Sequence, residues 1–96
     1  MKGVLAFPVI GLGASAGGLE ALEQFFEAMS VSSGAAFIII SHLDPHHVSL
    51  MSELLQNHTS MPVAQIVDAT KIKADHVYII PPNRDLAIVN GILQLL

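Results

Sequence analysis

Ser15 is the side chain with the clearest chemical prospects in this 96-residue chain. It stands in Gly13-Ala14-Ser15-Ala16-Gly17, with the apolar run Pro8-Val9-Ile10 before it and the amphipathic segment Leu19 to Met29 after it. That pattern predicts a strand, a tight glycine turn and a helix, the context in which G-x-S-x-G forms a nucleophile elbow. A helix beginning near Gly17 or Gly18 aims free N–H groups and its positive dipole end back towards the serine. A serine there sits beside a ready-made site for an oxyanion or another anion.

Two other motifs share these glycines. Gly13 and Gly18 have P-loop spacing, but Leu19-Glu20 follow where the phosphate-binding lysine is required, so that reading fails. Gly11, Gly13 and Ala16 fit the dinucleotide fingerprint loosely. The next strand ends in Ser41-His42 rather than in the acidic residue that would hold a ribose. A plain connecting turn is the third alternative to an elbow.

A serine hydroxyl is a weak nucleophile without a base, and imidazole is the usual one near neutral pH. His42 follows Ala35-Ala36-Phe37-Ile38-Ile39-Ile40, an unbroken apolar run of the kind buried on both faces of a parallel sheet. Sites in open α/β sheets form at the carboxyl ends of the strands, so Ser15 and His42 share one edge. A strand-end histidine bonded to backbone is the alternative for His42. His42, His46 and His47 are close in sequence, but no H-E-x-x-H pattern or cysteine accompanies them, so no metal and no cofactor is expected. Arg84, the only arginine, follows Pro81-Pro82-Asn83 at the end of another strand. It is suited to a substrate carboxylate or to pairing with a surface acid such as Asp85.

The elements that must position these residues can be read in order. Strand one covers about Val9 to Gly13. The first helix turns Leu19, Leu22, Phe26 and Met29 to one side and Glu20, Glu23 and Glu27 to another, the glutamates reading as a solvated face. Ser30 to Gly34 is a polar loop. Asp44 and Pro45 are a good N-cap and first helical residue, opening a helix to about His58 with His47, Met51, Leu54, Leu55 and His58 on one side. Pro62 to Val67 is a strand, Lys71 to His76 a polar turn, and Val77 to Ile80 a strand stopped by Pro81-Pro82. Asn90-Gly91 joins Leu86–Val89 to Ile92–Leu95 as a β-hairpin. The fold class is α/β: a parallel, doubly wound (Rossmann-like) sheet with flanking helices and a C-terminal antiparallel hairpin.

Composition narrows the function classes. Apolar residues make up 52% and charged residues 12%, a balance suited to a segment buried on several sides. With a net charge of −4 and four basic side chains there is no nucleic-acid patch. No cysteine calls for an oxidising compartment. Gly3 to Phe7 is too short for a signal h-region or membrane insertion, so the expected location is cytoplasmic.

Four ordered stretches carry a family resemblance: Pro8 to Leu22, Ser41-His42-Leu43-Asp44-Pro45-His46-His47, His58-Thr59-Ser60-Met61-Pro62-Val63, and Val77 to Arg84. The chain resembles the CheB family, the chemotaxis protein-glutamate methylesterases, most of all the domains fused to CheR-type methyltransferases. The resemblance implies a serine esterase acting on glutamyl methyl esters of methyl-accepting chemoreceptors, with glutamine deamidation as a second activity. It implies Ser15 as nucleophile, His42 as base, backbone N–H groups of Ala16 and Gly17 as oxyanion donors, and a linked receiver or methyltransferase domain as partner. Ala16 departs from the threonine frequent in the family. Asp44, Asp68, Asp75 and Asp85 do not match the family's triad acid, which belongs to a second half of the domain. Residues 1–7 then read as a lead-in and residues 8–96 as the N-terminal part of such a domain. Uncovered apolar faces predict self-association. A non-catalytic anion-binding or docking module built on the same turn and Arg84 is the alternative function.

Overall fold

A computed structural model of the chain describes residues 7–14, 19–29, 33–41, 45–81 and 84–96; residues 14, 41 and 45–49 are described by their backbone alone. Expectations for residues 1–6, Ser15 to Gly18, residues 30–32, His42, Asp44, Pro82 and Asn83 lie outside the described residues, as do the side chains of His46 and His47.

The chain runs β1 (Val9–Ala14), α1 (Leu19–Glu27), β2 (Ala36–Ser41), α2 (Pro45–Gln56), β3 (Val63–Gln65), β4 (Thr70–Lys71), β5 (Val77–Ile79), β6 (Leu86–Val89) and β7 (Ile92–Leu95). Four strands form a parallel sheet in the order β1-β2-β5-β3. The order explains which face each connection covers. Steps from β1 to β2 and from β2 to β3 move in one direction, and right-handed crossovers then put α1 and α2 on the same face. The step from β3 back to β5 reverses direction, so its connection covers the opposite face.

Strand alternation divides the core accordingly. Phe37, Ile39, Val77 and Ile79 face the helices and pack with Leu22, Phe26, Met51, Leu55 and Met61. Phe25, Phe26 and Phe37 meet edge to face, with ring centroids 5.2 to 6.2 Å apart, a favoured aromatic geometry. Ala36, Ile38, Tyr78 and Ile80 face the other way and pack with Ile66, Ile72 and Leu93.

The C-terminal hairpin forms as expected, with Asn90 and Gly91 at φ 52° and 77°, the left-handed pair that a type I′ turn needs. It does not stand alone. Thr70–Lys71 pairs with Leu93 and Ile92 to make a three-stranded antiparallel sheet, β4-β7-β6. Lys71 is thus a strand residue and not the start of a polar turn, because β7 supplies the partner that two residues cannot advertise. Tyr78 ties this connection to the parallel sheet: its hydroxyl accepts from Lys73 N (2.9 Å) and donates to Lys71 O (3.4 Å). Burial pushes its phenol pKa up.

On α1 the expected apolar face holds, Leu22 and Phe26 being buried with Leu19 and Met29 packed beside them. On α2 Met51 and Leu55 are buried, but Leu54 is 40% exposed and points away from the core. The helix ends at Gln56, two residues before His58.

Candidate functional site at the carboxyl edge of the parallel sheet

The register of β1 and β2 defines the edge at which the expected chemistry gathers. The two strands pair in parallel over six residues, from Val9↔Ala36 to Ala14↔Ser41. Ala14 immediately precedes Ser15, and Ser41 immediately precedes His42. Neighbouring strands run about 4.8 Å apart. The chain therefore leaves two adjacent strands at matched positions just before each of the two residues. Ser15, Ala16, Gly17 and His42 themselves lie outside the described residues.

The β1–β2 ladder explains why a glycine-rich strand can sit here. Val9, Gly11 and Gly13 share one face, opposite the helices, with Ala36, Ile38 and Ile40 as their neighbours on β2. Among the described residues, a Cβ placed on Gly11 or Gly13 would meet nothing within 4 Å. Ile40 is 46% exposed, although it closes the apolar run of β2. The antiparallel sheet covers Ala36 and Ile38 but stops short of this carboxyl-end corner.

Two of the described acids, Asp75 and Asp68, are engaged away from this edge. Asp75 Oδ1 accepts from Gly34 N (2.9 Å), and Asp75 N donates to Ala35 O (2.8 Å). That places Asp75 at the amino edge of the sheet, six residues of β2, or about 20 Å, from Ser41. Asp68 Oδ1 accepts from Leu95 N (2.9 Å) and so fastens the loop after β3 to the hairpin. Arg84 lies exposed between β5 and β6, where its Nε donates to Leu96 O (3.0 Å). Among the described residues no three His, Asp or Glu side chains are arranged to hold a metal ion. Among them, too, no helix is long and apolar enough to cross a membrane.

One cluster escapes the sequence reading. Glu23 and Glu27 are not simply a solvated face: both carboxylates meet the ring of His58, at 3.0 and 2.9 Å. Their i, i+4 spacing on α1 was the available signal, but the histidine that joins them is 31 residues beyond Glu27.

The family model for CheB methylesterase matches residues 10–95, nearly the whole chain. The chain belongs to the CheB methylesterase family. It is 33% identical over 81 residues to a protein-glutamate methylesterase/protein-glutamine glutaminase 1 of Xanthomonas euvesicatoria pv. vesicatoria, covering 84% of this chain and 22% of that protein. A protein-glutamate methylesterase/protein-glutamine glutaminase of Trichodesmium erythraeum is 27% identical over 85 residues, covering 88% of this chain and 24% of the relative. The crystal structure of the Thermotoga maritima CheB methylesterase catalytic domain superposes with a TM-score of 0.81 at 20% identity, over 95% of this chain and 49% of that one. The CheB-type chain thus spans less than a quarter of the first of these relatives and about half of the solved catalytic domain. The likeness in fold includes the parallel sheet and its helices.

Proposed function

We propose that this chain is the nucleophile-bearing, N-terminal part of a protein-glutamate methylesterase domain, residues 8–96, with Ser15 as nucleophile and His42 as general base. The observation that carries the reading is the Ala14↔Ser41 register, which ends two adjacent parallel strands one residue before each proposed group. Membership of the family and the names of the relatives support glutamyl methyl esters of chemoreceptors as substrate, with glutamine deamidation as the second activity.

The chemistry follows from those roles. Ser15 Oγ attacks the ester carbonyl as His42 takes its proton, and backbone N–H groups of Ala16 and Gly17 hold the oxyanion. Collapse of the tetrahedral intermediate breaks the ester C–O bond, and His42 gives its proton to the departing methoxide, releasing methanol. Water, deprotonated by His42, attacks the acyl-enzyme and frees the glutamate carboxylate and Ser15. The acid that fixes the tautomer of His42 belongs to the other part of the domain in this reading, in keeping with the positions of Asp68 and Asp75. Arg84, beyond the carboxyl end of β5, is proposed to meet the substrate. The domain works in the cytoplasm beside a receiver or CheR-type methyltransferase domain. The open corner at Gly11, Gly13 and Ile40 supports association, with the rest of the domain or with a second copy.

Hydrolysis of a glutamyl-methyl-ester peptide tests the proposal, measured on this chain and on a longer protein that carries it. The expected result is methanol release by the longer protein, reduced about 10⁶-fold by Ser15→Ala, as in other serine hydrolases. Without the acid, this chain alone should be slower by about 10⁴-fold. Methanol release that survives Ser15→Ala would sink the assignment of the nucleophile.

A further inference from the structure

His58 closes α2 and simultaneously reaches α1. Its backbone N–H donates to Leu55 O (2.9 Å), completing the last turn of the helix. The turn that carries it is fixed by Gln56, whose Nε2 donates to Thr59 O (3.1 Å) and Met61 O (2.8 Å) and whose Oε1 accepts from Val63 N (2.9 Å). Met61 N also donates to Thr59 Oγ1 (3.1 Å). The imidazole is therefore presented from a braced loop and not from a free side-chain end.

The ring meets one carboxylate at each nitrogen: Nε2 lies 3.0 Å from Glu23 Oε2, and Nδ1 lies 2.9 Å from Glu27 Oε1. A neutral imidazole has a single N–H, so it can donate to one of these oxygens and must turn a lone pair towards the other. Only the imidazolium donates to both. The two carboxylates bind opposite ends of the ring, so no single metal ion could replace the proton in this arrangement. We propose that His58 is a proton-operated clasp, which joins α1 to the turn closing α2 in its imidazolium form and releases one carboxylate when neutral.

Glu23 and Glu27 are the charged groups that face the ring from α1. Among the described residues of its own turn, of α2 and of β3, no further charged side chain bonds it. The hydrogen bond to Glu27 is the largest influence on His58 and raises its pKa above the ordinary 6.5; partial removal from water opposes this, and attraction to Glu23 and Glu27 adds to it. Because the folded value is the higher one, the clasp stabilises the fold fully below about pH 6.5 and loses that contribution as pH rises through the folded pKa. A device of this kind responds between about pH 5 and pH 8, the range in which histidine changes charge.

The proposal stands apart from the esterase reading, and its test needs no activity. Ring-nitrogen NMR would follow His58 across that range, alongside hydrogen-exchange protection of α1 corrected for the intrinsic exchange rate. The expected midpoint lies above 6.5, with both ring N–H protons present at the acidic end, and falls in Glu27→Gln. Protection of α1 should drop about two- to fivefold as the pH rises, the size expected for exposed ion pairs, and should lose that dependence in His58→Gln. A His58 midpoint at or below 6.5 in the wild-type protein would overturn the proposal. So would an α1 pH response that persists unchanged in Glu27→Gln or His58→Gln.

Discussion

The two faces of the parallel sheet are finished to different degrees. Against the helices, Phe37, Ile39, Val77 and Ile79 are buried by Leu22, Phe26, Met51 and Leu55, and three aromatic rings interlock above them. On the opposite face, Ile66, Ile72 and Leu93 cover Ala36, Ile38, Tyr78 and Ile80, while no other described residue covers Gly11, Gly13 and Ile40. The difference has a topological cause. Two successive crossovers in one direction deliver two helices to one side. The single return crossover carries only the two-residue β4 to the other, where the hairpin β6–β7 that follows β5 joins it. The helix face is completed by this chain's own residues. The open corner of the other face adjoins the edge from which Ser15 and His42 are proposed to act.

The largest effect is expected where packing is complete. Phe37→Ala removes a fully buried ring that contacts Phe25 and Phe26, and should cost about 3–5 kcal/mol. Denaturant unfolding followed by far-UV circular dichroism would read it. A cost below about 1 kcal/mol would mean that the helix layer is loose and that the contrast between the faces is false.

Much of this contrast is legible in the sequence, and the parts that are not have physical reasons. The run Ala36 to Ile40 announces a strand covered on both sides, and Leu19, Leu22 and Phe26 announce the helix that covers one of them. Asn90-Gly91 specifies the hairpin through its left-handed backbone. Nothing local announces β4, because Thr70 and Lys71 become a strand only through pairing with Leu93 and Ile92. The insertion of β5 between β2 and β3 is equally hidden, since strand order depends on the direction of a crossover and not on residue type. For the site, the glycine turn and the strand-end histidine are readable as motifs. The partnership of Glu23 and Glu27 with His58 is not, because it joins α1 to the turn after α2 across 31 residues of sequence.

A smaller effect probes the join between the faces. Tyr78→Phe keeps the ring on β5 but removes the hydroxyl that accepts from Lys73 N and donates to Lys71 O. The expected loss is about 1–2 kcal/mol, mostly from leaving the part-buried Lys73 amide without its acceptor. Amide exchange should localise the change to β4 and its flanks, with the helix face unaffected. Equal deprotection of α1 and α2 would show that the two faces unfold as one unit and that the small sheet is not a separable layer.

The smallest effect is the most discriminating, because its sign depends on what covers the open corner. Gly11 has no positive φ, and an added Cβ finds no described neighbour within 4 Å. In this chain Gly11→Ala should therefore stabilise by about 0.4–1 kcal/mol, by restricting the unfolded backbone at no steric cost. In a longer protein whose further strands or helices seat on that corner, the same methyl would enter a packed layer and destabilise by about 1–3 kcal/mol. Thermal unfolding of the substitution in both contexts reads the difference. Opposite signs would establish that Gly11, Gly13 and Ile40 form an internal surface of the complete domain, beside the edge from which Ser15 and His42 are proposed to act. Stabilisation in both would mean that the corner is solvent-facing in the complete domain too. The glycines would then serve the turn that follows them and no packed neighbour.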